Sequence, residues 1–212
     1  MGHGRLKPVP LVSGQTEAVQ RLYGGQRCHR LPSARLGEVL TTIGGYGIRH
    51  FACHDVTKGD ILESFLALVN RPLPLQRLLT SDWGRRRLAI LSSCETGVTD
   101  GALPDETIGF PARLMYTGVA GVIAFAWPVE PAPATYLLLR TRGNRLNGQA
   151  PRDALNEAQL WLRSAMHREL LTYEATHLKG PPPALEDAYR AWELIRPYQK
   201  PWNWAAFVYT GA

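Results

Sequence analysis

The chain predicts an α/β sandwich around a largely parallel sheet, and three observations carry that prediction. Helix-like and strand-like segments alternate along the sequence, the order that strand–helix–strand units impose. Arg87 to Ser92 and Gly121 to Trp127 are short apolar runs, the form that strands buried in a parallel sheet take. Glycine or proline closes segment after segment, as at Gly44-Gly45, Gly118 and Pro128, which separates the elements cleanly.

Taken in order, Gln15 to Tyr23 predicts a short helix stopped by Gly24-Gly25. A second helix begins near the N-cap candidate Ser33 and carries Leu36, Val39, Leu40 and Ile43 at helical spacing. The strand Ile48 to Cys53 follows, and then a polar loop from Asp55 to Asp60. Ile61 to Val69 reads as a short strand or hairpin, Leu73 to Thr80 as a helix, and Arg87 to Ser92 as a second buried strand leading to Cys94. Thr96 to Glu106 is a loop rich in turn residues, with Gly97, Gly101 and Pro104.

Thr107 to Thr117 predicts a helix, since Pro111 lies close enough to its start to be tolerated. Gly121 to Trp127 is the third apolar strand. Pro133 to Leu146 and Pro151 to Met166 read as helices, the second with Leu155, Ala158, Leu162 and Ala165 on one face. The pattern weakens between Arg168 and Pro183, Leu185 to Ile195 is a last helix, and the apolar end of Trp202 to Gly211 is a terminal strand. With neither an internal repeat nor a low-complexity tract, residues 1–212 read as one domain.

The composition excludes several classes. At 212 residues, 45% hydrophobic and 20% charged, the chain has the make-up of a globular protein. No apolar run approaches the roughly 20 residues that span a bilayer, and Met1 to Arg5 lacks the apolar stretch of a secretory signal; a cytoplasmic protein without a membrane partner is expected. The net charge of +6 and pI near 9.5 raise the question of nucleic acid, but the basic residues are scattered and Arg85-Arg86-Arg87 has no aromatic interleaving. Three cysteines, an odd number, argue against a disulfide framework. Cys28-His29 and Cys53-His54 are not metal motifs, because neighbours on a strand point to opposite faces. Neither a metal nor another cofactor is expected.

Two motifs carry chemistry. Arg49-His50-Phe51-Ala52-Cys53-His54 delivers a histidine to one strand end, and Leu91-Ser92-Ser93-Cys94-Glu95-Thr96-Gly97 delivers a cysteine to another. Thiol and imidazole at the carboxyl ends of sheet strands are the parts of a cysteine hydrolase. His54 would protonate the leaving amine while Cys94 attacks the carbonyl carbon, and the backbone N–H groups of Asp55 and Cys94 are placed in sequence to receive the oxyanion. Locally Cys94 also reads as a core cysteine; Gly97, which supplies a sharp turn, and the histidine at the other strand end favour the nucleophile. His50, deeper in its strand, reads as a satisfied, partly buried histidine, and Cys53 as a small core residue.

At these residues the chain resembles the CHAT-domain family, caspase-like proteases often joined to tetratricopeptide repeats and related more distantly to caspases, separase and gingipain-type peptidases. The resemblance rests on His50 to His54 and Leu91 to Gly97, and continues in order through Leu103-Pro104-Asp105-Glu106-Thr107-Ile108-Gly109, Gly121 to Val129, Pro151 to Leu155 and Trp204-Ala205-Ala206-Phe207. It implies a three-layer α/β/α caspase-like fold with a mostly parallel central sheet, His54 and Cys94 as catalytic dyad, and a protein or peptide substrate. It also implies control by a regulatory protein or an upstream repeat domain. Asp105 and Glu106 either line the substrate pocket or cap the helix that begins near Thr107. The chain departs from the family pattern at Asp55, where a glycine is usual, and in its first edge strand, represented only by Val9 to Val12. The competing reading is a catalytically silent caspase-like scaffold or protein-interaction module.

Overall fold

A computed structural model describes residues 12–24, 28–56, 61–81, 88–92, 110–178 and 194–211. The class is mixed α/β with a central, mostly parallel sheet, as the sequence predicts. The chain divides into two compact units, one formed by the described residues of 31–128 and 207–211, the other by those of 12–30 and 129–206.

The first unit holds the central sheet, in the order β1 (Ile48–Phe51), β5 (Leu88–Leu91), β6 (Gly121–Phe125), β7 (Phe207–Gly211). The first three strands are parallel and β7 runs antiparallel to β6. Every residue of β5 and β6 is buried, whereas β1 and β7 mix buried with partly or fully exposed residues; interior strands must be apolar on both faces and outer strands need not be. Helices α2 (Leu36–Thr42), α3 (Leu75–Leu79) and α4 (Phe110–Met115) belong to the same unit. Its core joins Val39, Ile43, Leu78, Leu91, Leu114 and Val122 with Leu66 and Leu73. Each such leucine contributes roughly 1.5–3 kcal/mol by leaving water.

A smaller antiparallel sheet lies in the long connection between β1 and β5, in the order β2 (Asp55–Val56), β3 (Phe65–Ala67), β4 (Pro72–Pro74). The Ala67 N–H donates to the His54 carbonyl at 2.7 Å, so Ala67 turns its backbone toward β2 and forms a non-hydrogen-bonded pair with Pro72. The same alternation makes Phe65 and Pro74 such a pair. Both prolines therefore occupy positions whose missing N–H would face the outer edge of β4, where proline costs the ladder nothing and bars a further strand.

The second unit is helical: α1 (Val12–Leu22), α5 (Pro131–Leu146), α6 (Pro151–Ser164), α7 (His167–His177) and α8 (Pro201–Trp204). Pro131 and Pro151 open their helices at the first turn, where the absent N–H has no partner to lose. Gly148, at φ 92°, makes the turn between α5 and α6, and the Asn144 amide donates to the Ala154 carbonyl at 3.1 Å to close that hairpin. Leu155, Ala158, Leu162 and Ala165 are buried together as their spacing predicts. The rings of Tyr136, Trp161, Tyr173 and Tyr198 pack edge-on or tilted at centroid separations of 4.9–6.5 Å, with the Arg140 guanidinium 5.2 Å from the Trp161 centroid.

Several expected boundaries move. The strand from Ile48 ends at Phe51 rather than Cys53, because Asp55 and Val56 pair with β3 in the other sheet. The second helix starts at Leu36, and its cap is not Ser33: the exposed Leu36 N–H donates to the Asn70 side-chain oxygen at 3.0 Å, a partner 34 residues away. Leu73, expected in a helix, sits in β4. Val12, the last residue of the expected first strand, begins α1. The weak stretch after Arg168 contains α7, whose start is secured by the Glu169 carboxylate accepting the Met166 N–H at 2.7 Å. Pro201 to Trp204 form a helical turn before the terminal strand, which starts at Phe207. Most of the helix expected at Leu185 to Ile195 and the start of that expected at Thr107 lie outside the described residues.

Candidate active site

Strands β1 and β5 are adjacent, parallel and in register, with Phe51 opposite Leu91. Neighbouring strands lie about 4.8 Å apart, and the hydrogen bonding continues beyond the last pair, since the Ser92 N–H donates to the Phe51 carbonyl at 3.0 Å. His54 stands three residues after Phe51 and Cys94 three residues after Leu91. Both chemical residues thus follow a matched pair of strand ends by the same interval.

His54 is half-buried and sits where the chain leaves the central sheet for the smaller one. Its carbonyl, held by Ala67, anchors that crossing. The same bond makes Asp55 and Leu66 a non-hydrogen-bonded pair, so the Asp55 N–H points away from β3. Cys94, Asp105 and Glu106 lie outside the described residues, as does Gly97.

One residue before the end of β1, His50 Nε2 lies 2.7 Å from Oγ of Ser92, the residue that follows β5. Ser92 is buried and His50 half-buried, so His50 is a satisfied histidine as expected. Its partner was not singled out in the sequence, although Ser92 stands two residues before the expected nucleophile and period two places such residues on one face of an extended chain. The neighbouring Arg49 is buried, and its Nε donates to the Ile43 carbonyl at 2.8 Å. Cys53 packs half-buried against the first unit's core. Cys28 belongs to the second unit; burial pushes its thiol up, with Arg142 opposing, which favours the thiol over the thiolate.

A mostly parallel sheet whose adjacent strands lead to a histidine and a cysteine defines an α/β protein with a candidate site at the carboxyl ends of its strands. A family model, the CHAT domain, matches residues 2–212, and the chain belongs to that caspase-like, peptidase-related family. Comparison with curated proteins gives no significant match. Among the described residues, no helix is long and apolar enough to cross a membrane.

Proposed function

We propose that the chain is a cysteine endopeptidase with Cys94 as nucleophile and His54 as general acid/base. The observation that carries this reading is the register of β1 on β5, which pairs Phe51 with Leu91 and so gives His54 and Cys94 equal offsets from neighbouring strand ends. The Cys94 thiolate attacks the scissile carbonyl carbon, His54 protonates the departing amine, and water then hydrolyses the thioester. The Asp55 N–H, turned away from β3, and the Cys94 N–H supply the oxyanion donors. In this reading Asp105 and Glu106 contribute to substrate binding. The enzyme acts in the cytoplasm on a protein or peptide, under control of a regulatory protein or repeat domain.

The test is labelling with an electrophilic thiol probe, with Cys94→Ala and His54→Ala as controls, together with peptide-library cleavage in the presence of any partner encoded nearby. Cys94 labels faster than Cys28 and Cys53, and both substitutions abolish cleavage. If Cys94 labels no faster and no peptide is cut, the protein is a silent scaffold of the same fold instead.

A further inference from the structure

We infer that His50 and Ser92 form a positioning pair that sets the separation of Cys94 from His54, an inference that rests on the dyad proposed above. The 2.7 Å contact between His50 Nε2 and Ser92 Oγ is a side-chain tie between β1 and β5 at their carboxyl ends. It lies beside the last backbone rung among the described residues, the 3.0 Å bond from the Ser92 N–H to the Phe51 carbonyl. Beyond these two ties the chain runs two residues from Ser92 to Cys94 and three from Phe51 to His54. A rotation or slip of the strand end at Ser92 would shift the proposed nucleophile against His54, whose carbonyl is separately held by Ala67, and a displacement of about 1 Å at a reacting group can cost about 100-fold in rate.

The pair acts through the strands and not on substrate. Ser92 is only 6% exposed, so a peptide does not reach its hydroxyl, and removing His50 would leave that hydroxyl buried without this partner. In the tautomer with Nε2 unprotonated the Ser92 hydroxyl donates to Nε2; in the other the Nε2–H donates to Oγ. In either form the two strand ends stay tied.

The experiment measures the pH profile of Cys94 alkylation by the thiol probe, with kcat and KM for a cleaved peptide and Tm as a fold control. Ser92→Ala and His50→Leu each shift the Cys94 profile and lower kcat about tenfold, the scale of one lost buried hydrogen bond, with KM unchanged. The double variant is no worse than either single one, and His50→Gln, which keeps a nitrogen at similar reach, recovers most of the rate. Faster-than-ordinary Cys94 labelling that neither substitution alters overturns the pair and leaves the dyad standing. A shifted Cys94 profile without peptide cleavage in any form supports the pair and counts against the peptidase reading. Losses that multiply in the double variant, or a fall in Tm with kcat intact, overturn the positioning role.

Discussion

The ring of Tyr209 lies across Gly121 on the neighbouring strand, so closely that a Cβ added to Gly121 would stand 2.5 Å from Tyr209 Cε2. Gly121 pairs with Gly211 in the β6–β7 register, and this glycine pair leaves the slot that the ring fills, as aromatic side chains do over bare cross-strand glycines. A Cβ on Gly211 would meet both Tyr209 Oη and the backbone oxygen of Ala120, each at 2.6 Å.

Gly121→Ala is expected to destabilise the protein by about 1–3 kcal/mol, the usual cost of overpacking. Tyr209→Leu should recover part of that loss, because the obstructing atoms are the ring's own. The same second change should not rescue Gly211→Ala, where a backbone oxygen also obstructs. Urea unfolding of the single and double variants gives both coupling energies; equal rescue at the two sites would contradict this account.

Asn70→Ala should cost about 1 kcal/mol, because its side-chain oxygen accepts the first N–H of α2. Asn70→Asp keeps an acceptor at the same helix end and should lose much less, with the helix dipole favouring the added negative charge. Thermal unfolding of the two variants separates the outcomes.

His177 is held below the ordinary histidine range by burial and then by the charge of Arg140. The folded state therefore prefers the neutral ring. Its contribution is fully present above the unfolded pKa of about 6.5 and is lost as pH falls, since the unfolded chain then binds the proton more readily. Urea midpoints should drop between pH 7.5 and 5.5, and His177→Gln should flatten that slope.

Burial pushes Tyr173 up to about 12, against the opposing charge of Arg140. Tyr136 is raised by burial and then by Glu174 and Tyr198; its hydroxyl donates to Glu174 Oε2 at 3.3 Å. Stability from these phenols is present below the unfolded value of about 10 and declines as pH rises past it. Tyrosinate absorbance in the folded protein should show a late-titrating group that moves to about 10 in denaturant. Tyr173→Phe should remove the part of that group titrating near 12.

The fold and the candidate dyad were legible because both depend on local pattern. Leu88 to Leu91 and Gly121 to Phe125 are buried throughout, and such runs announce themselves without any partner. The histidine and cysteine motifs were equally plain. By contrast, the place where β1 ends, the Asn70 cap and the role of Ser92 depend on groups 9 to 42 residues distant in sequence, which the local pattern around each residue does not reveal.

By itself the sequence determined the α/β class, the three apolar strands, the burial of Leu155, Ala158 and Leu162, and the residues capable of thiol chemistry. These follow from periodicity, glycine and proline placement, and side-chain chemistry. Only the tertiary structure decided that Phe51 stands opposite Leu91, that Asp55 turns its N–H away from β3, and that His50 reaches Ser92. Strand register and hydrogen-bond alternation belong to pairs of segments, and until two segments meet neither one carries that information.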